Sequence, residues 1–156
     1  MPAGSESRAL PALPHTWRPF GVRIAVIGVG LMLFAVCAAA WFGFDDATRD
    51  KFNILQRLTL LGMGAGFATI GWALCRARVT AEMEALVVVN GFRTRRLDWK
   101  EVVAIHLPHS APWATLDLAD GTTISATAFQ GSDGERARDG VRQVRALIDR
   151  QGSPER

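Results

Sequence analysis

The sequence predicts an α+β chain in two parts: a two-helix transmembrane hairpin, then a small antiparallel β-sheet or roll capped by a C-terminal α-helix. Three observations predict it. Two uncharged apolar runs, Ile24 to Phe44 and Leu58 to Cys75, flank a short charged stretch from Asp45 to Arg57. After Cys75 the continuous apolar pattern gives way to short alternating segments separated by turn residues, as half-buried strands require. Near the end, Ala137, Val141, Val144, Leu147 and Ile148 recur at helical spacing.

The apolar runs hold 21 and 18 residues, close to the roughly 20 that a helix needs to cross hydrocarbon. Lipid offers no partner to a backbone amide, so each run must satisfy its own hydrogen bonds as a helix. The expected division is a disordered tail over 1–19 and a hairpin over 20–75. Within the hairpin, helices at about 22–44 and 54–75 are joined by an outer loop at 45–53. A domain over 76–150 and a tail over 151–156 follow. The first run is longer than a signal-peptide core, and a second span follows it, so a cleaved leader is not expected. Trp17 and Phe20 at one end, Trp41, Phe42 and Phe44 at the other, and Trp72 fit interfacial aromatic belts.

Basic residues set orientation. Arg8, Arg18, Arg23, Arg76, Arg78, Arg93, Arg95 and Arg96 flank the hairpin, against Arg49, Lys51 and Arg57 inside it. The bias places both termini on the cytoplasmic side of a bacterial plasma membrane. Gly62 and Gly66 form a GxxxG that lets helix backbones approach closely. Its expected partner is the first helix of the same chain, with homo-oligomerisation or docking on another membrane protein as the alternative. Cys37 and Cys75 should differ in depth by roughly 10–15 Å, too far for a disulfide.

In the second part, Val79–Ala81 and Leu86–Val89 read as strands, and Asn90-Gly91 as their hairpin turn to Phe92–Trp99. Phe92 and Trp99 have opposite parity. If both are core, a bulge is needed, expected near Arg95-Arg96. Glu101–Leu107 reads as a strand with Val103, Ile105 and Leu107 on one face. For the hairpin of Trp113–Leu118 with Thr122–Ala128, a two-residue turn would scatter the apolar residues. A three-residue loop, Ala119 to Gly121 with Gly121 left-handed, collects Leu116, Leu118, Ile124, Ala126 and Ala128 on one face, and is preferred. Ser132 to Glu135 has the form of a capping box. A helix follows to about Arg150, with Arg136, Arg138, Asp139, Arg142, Arg145 and Asp149 on its outer face.

Reaction chemistry is absent from the pattern. From Arg76 onward 12 basic side chains face 11 acidic ones, which argues against nucleic acid. His106 and His109 are split between a strand and a proline-rich loop, with no carboxylate evident to complete a metal site. Gly28 and Gly30 lie inside an apolar helix rather than after a strand, so they are not a phosphate loop. No enzyme activity, metal or cofactor is expected. The sharpest cluster is Arg93, Arg95, Arg96 and Lys100. Near a membrane it could gain roughly 1 kcal/mol per residue from anionic headgroups, or it could meet a protein partner. The alternative is a solvated strand edge that discourages aggregation. Trp99 and Trp113 read as core.

Taken in order, Arg93-Thr94-Arg95-Arg96-Leu97, Trp99-Lys100-Glu101-Val102, Pro112-Trp113-Ala114, Leu116 to Gly121 and Ser132 to Ala137 are similar to an actinobacterial family often labelled low molecular weight protein antigen. The likeness covers most of Trp17 to Leu147. It implies a bacterial pleckstrin-homology-like (PH-like) domain, a bent antiparallel sheet closed by the last helix, acting as a binding or scaffolding module without catalysis. The family pattern would end the turn at Glu82 to Ala85 in glycine. Alanine at 85 resists the positive φ such a turn uses.

Overall fold

The computed structural model describes residues 10–152. The chain divides into two compact units, one spanning 20–76 and the other combining 10–19 with 77–152.

The helical unit contains α1 (Gly21–Gly43), α2 (Asp46–Asp50) and α3 (Ile54–Arg76). Both long helices are of a length and composition that can cross a membrane. No residue of α1 is buried, and in α3 only Gly71 is. Gly71 is where the two helices meet: a Cβ there would stand 2.8 Å from Val26 Cγ1. A Cβ at Gly62 or Gly66 would meet nothing within 4 Å. The expected GxxxG contact with the first helix is therefore not made; the close approach lies at Gly71, more than one turn beyond Gly66.

The connector is ordered by hydrogen bonds to orphaned helix-end groups. The Arg49 guanidinium donates to the Phe44 carbonyl (2.7 Å) and pairs with Asp46 (3.3 Å). Arg57 donates to the carbonyls of Phe52 (3.0 Å) and Arg49 (3.1 Å) and lies 5.4 Å over the Trp41 ring. Asn53 and Gln56 cap α3 reciprocally, each side-chain oxygen accepting from the other's amide at 2.9 and 3.0 Å.

The second unit holds two antiparallel sheets and a helix. Strands β1 (His15–Trp17), β2 (Arg78–Ala81), β3 (Ala85–Asn90) and β4 (Arg93–Asp98) form one sheet in that order. Strands β5 (Val102–His106), β6 (Trp113–Leu118) and β7 (Thr123–Gln130) form the other. Helix α4 (Glu135–Gly152) packs on both β5 and β7.

Strand β1 corrects the expectation of a structureless tail over 1–19. Trp17 pairs with Val79 and His15 with Ala81. Trp17, expected at a membrane interface, packs on Phe129 with ring centroids 5.8 Å apart, and its indole N–H donates to Gln143 Oε1 at 2.9 Å. The tail expected over 1–9 lies outside the described residues. At the other end Gln151 and Gly152 continue α4, and 153–156 lie outside the described residues.

The first hairpin closes with the Glu82 amide donating to the Ala85 carbonyl at 2.8 Å. Among the described residues no non-glycine has positive φ, so alanine at 85 carries no strain. The next turn falls one residue later than expected, on Gly91-Phe92, because Asn90 pairs with Arg93 inside the ladder. Gly91 takes φ of 58° at the first central position, the type II′ arrangement that matches strand twist. Phe92 is thereby exposed, and the β3–β4 register runs unbroken from Ala85↔Asp98 to Asn90↔Arg93. The bulge expected near Arg95-Arg96 is absent. Trp99 reaches the core from a 3-10 turn, Trp99–Glu101, after the strand ends.

A bulge does occur between Val102 and Ala104. It turns both Val102 and Ile105 inward and leaves Val103 59% exposed, so the expected face of Val103, Ile105 and Leu107 does not form. A second lies between Trp113 and Ala114 and leaves Trp113 42% exposed rather than in the core. The β6–β7 loop is the three-residue one: the Leu118 amide donates to the Thr122 carbonyl (2.9 Å), Gly121 has φ of 79°, and Leu116 faces Ile124.

Ala137, Val141, Val144, Leu147 and Ile148 are all buried against the sheets. The expected Ser132 cap is replaced by a 3-10 turn, Gly131–Asp133, and by Gly134 at φ of 57°, whose carbonyl accepts from the Arg138 amide at 3.2 Å. The capping box appears instead at Asp98 and Glu101. Gly140 is required by packing, since a Cβ there would stand 2.5 Å from Phe129 Cε1.

Asn90 ties the sheets together. Its Nδ2 donates to the Ser125 carbonyl (2.5 Å), and its Oδ1 accepts from the Thr127 amide (3.2 Å) and hydroxyl (2.7 Å). Asn90→Ala leaves those half-buried groups unpaired and is expected to cost about 2 kcal/mol, read as the shift in denaturant unfolding of the full chain in detergent. Gly140→Ala should cost about 1–3 kcal/mol by overpacking Phe129, measured the same way.

Candidate docking edge

Strand β4 is one of the two outer strands of the four-stranded sheet, β1 being the other, and carries three of the four basic residues expected to act together. Arg93, Thr94, Arg95 and Arg96 are all exposed, and Leu97 turns into the core. Strand alternation separates the cluster. Arg93 and Arg95 share the face of Leu97, while Arg96 and Thr94 point the other way. Arg96 is ion-paired with Glu82 across the sheet surface. Lys100 stands exposed on the 3-10 turn beyond the strand. Arg93 and Arg95 thus lie on one face of β4, Arg96 turns to the other and pairs with Glu82, and Lys100 lies beyond the strand.

A cleft of about 560 Å³ opens beside the end of β4. Leu97, Leu118 and Ala119 give it an apolar floor; Arg95 and Arg96 line one part, and Glu101 and Asp120 another. Each wall is held by local hydrogen bonds. The Glu101 carboxylate accepts from the Asp98 amide at 3.0 Å. The Glu101 carbonyl accepts from the Ala119 amide at 2.9 Å, pinning the β6–β7 loop to the 3-10 turn. Asp120 accepts from the Thr122 hydroxyl (2.7 Å) and amide (2.8 Å). These bonds, with the nearby Arg95 charge, hold its carboxyl below the ordinary aspartate range.

The cleft residues Glu101, Ala119 and Asp120 were missed as functional candidates. The Asp98-x-x-Glu101 spacing is a capping signal that could have placed the first of them. His106 meets a carboxylate after all: its Nε2 lies 3.0 Å from Asp117 Oδ2 on the neighbouring strand, with both side chains part-exposed. His109 lies in the loop between β5 and β6. Gly28 and Gly30 lie within α1, where an added Cβ would meet nothing within 4 Å.

A four-stranded and a three-stranded antiparallel sheet closed by a C-terminal helix define a PH-like α+β fold. Residues 76–147 match the family described as Bacterial PH domain. The match takes in β2 to β7 and most of α4, and leaves out β1. The chain is also similar to uncharacterised proteins from Mycobacterium bovis and from Mycobacterium tuberculosis, each 33% identical over 100 residues. Those alignments cover 62% of this chain and 65% of the relatives' length. No solved structure matches.

Because the folded-state pKa of Asp120 lies below its unfolded value, its ionised form stabilises the loop above the ordinary carboxylate range. That contribution is lost as pH falls through the lowered folded-state value. Thr122→Val removes the hydroxyl bond, and the Asp120 midpoint is expected to move up, read by carboxyl-carbon NMR titration.

Proposed function

We propose that this chain is an integral protein of a bacterial plasma membrane that holds a non-catalytic PH-like docking module at the cytoplasmic face. The observation that carries this reading is the pairing of β1 with β2 across the helical unit. Strand β1 ends at Trp17, β2 begins at Arg78, and two helices of spanning length lie between them in the chain. Partners in one β-ladder must occupy the same side of a bilayer, and two crossings return the chain to the side it left. A core helix of a water-soluble protein would be largely buried; α1 and α3 are not. The excess of arginine outside the hairpin favours the cytoplasm for both ends.

The match to the Bacterial PH domain family supports a binding role, and the wider likeness to the low molecular weight protein antigen family belongs to the same reading. The partner, a protein segment or anionic lipid headgroups, would meet the edge that bears Arg93 and Arg95. Tethering raises the local concentration of a weakly bound partner, so a small surface suffices. A second reading makes the hairpin itself the working surface in a membrane complex. It is favoured by the open space around Gly62 and Gly66, and Gly62→Leu with Gly66→Leu would then abolish association.

Single cysteines test the first reading in a background where Cys37 and Cys75 are alanine. Probes at Ala12 and Ser132 are expected to react with an impermeant thiol reagent only in inverted vesicles, and a probe at Ala47 only in intact cells. Labelling of Ala47 and Ser132 from the same side would overturn the double span.

A further inference from the structure

Resting on the docking-module reading, we propose that the outer edge of β4 is a strand-addition site for an extended acidic segment of another protein. One apolar side chain of that segment occupies the cleft beside Leu97. The first support is the backbone. Glu82 and Ala85 form a hydrogen-bonded pair, so the alternation of the antiparallel ladder sends the bonds of Leu86, Val88 and Asn90 towards Leu97, Arg95 and Arg93. The N–H and C=O groups of Thr94 and Arg96 therefore face away from the sheet. The Asp98 amide is taken by the Glu101 carboxylate, which closes the edge at that point. What remains is a short row of donors and acceptors at strand spacing, with no further strand beyond β4 among the described residues. Main-chain pairing along such an edge supplies affinity, and side-chain pockets supply specificity.

The second support is charge, which selects among occupants. A second copy paired edge to edge would set arginine against arginine, which disfavours it. A phosphate headgroup gains from Arg93 and Arg95 but has no use for a backbone edge or for the apolar floor of Leu97, Leu118 and Ala119. An acidic extended segment satisfies both features. Its carboxylates face Arg93 and Arg95, and its next side chain on that face enters the cleft over Leu97, Leu118 and Ala119.

The test uses the full chain in neutral-lipid nanodiscs and a fluorescent peptide of sequence Glu-Thr-Glu-Thr-Leu-Thr-Glu-Thr-Glu, which sets glutamates and the leucine on one face in either strand direction, with its lysine-for-glutamate counterpart as control. The acidic peptide is expected to bind and the basic one not to, with amide exchange slowed over Arg93 to Asp98. Arg93→Glu with Arg95→Glu should weaken binding at least tenfold. Thr94→Pro removes an outward N–H while sparing the ladder to β3, and should do the same; Thr94→Val keeps the N–H and should bind as wild type. Unchanged binding by Thr94→Pro, or no acidic-peptide binding by wild type, overturns the proposal. So does a charge reversal that alters association with phosphatidylglycerol vesicles but not with the peptide, or a dimer that Thr94→Pro dissolves. Peptide binding by a chain that fractionates away from membranes would sink the membrane reading and leave this site standing. Failure of the peptide on a membrane-integral chain sinks this site alone.

Discussion

Backbone hydrogen bonds between His15–Trp17 and Val79–Ala81 join two segments separated by the whole helical unit. The pairing is short, but side chains reinforce it. The hydroxyls of Thr16 and Thr80 meet at 3.0 Å, and Trp17 lies on Phe129 with its indole bound to Gln143. The four-stranded sheet is complete only with this strand, and the strand is supplied from the far side of the hairpin. A region that aligns with a PH domain only from residue 76 onward is thus finished by residues outside the aligned segment. The same ladder gives the proposed double span its geometric basis, independent of any count of basic residues.

Within the domain, two devices hold the sheets against each other. Core residues of the four-stranded sheet, including Val79, Leu86 and Val88, meet Leu116, Ala126 and Phe129 of the other sheet and the buried face of α4. Asn90 adds polar bonds that fix register as well as proximity, since its carboxamide must face Ser125 and Thr127 at once. Both sheets share one face with the core, and β4 leaves its outer edge uncovered. That edge is where the exposed arginines sit, beside a cleft that carries both signs of charge.

Most elements were legible in the sequence because burial writes itself into periodicity. The α4 stripe from Ala137 to Ile148 and the three-residue loop ending in Gly121 follow from where apolar side chains must go. The errors have a common physical source. Asn90 looked like a turn residue because asparagine tolerates positive φ, yet its amide is spent on a contact 35 and 37 positions away, which local pattern cannot show. Val102 and Ile105 are both inward only because a bulge breaks the alternation. Strand β1 has no periodicity to detect over three residues, and its partner lies beyond the hairpin. For the candidate site, the arginines were visible but their division between two faces depended on register. Asp120 and Glu101 enter only through the closure of one loop on another.

The hairpin's place between β1 and β2 also bears on biogenesis. Thr16 leaves the ribosome 64 positions ahead of the threonine it will touch, and the whole helical unit lies between them. The nascent chain therefore holds an unfinished sheet edge until the helical unit and β2 have been translated. Completion of the four-stranded sheet becomes a late event, conditional on synthesis of the whole segment from His15 to Ala81.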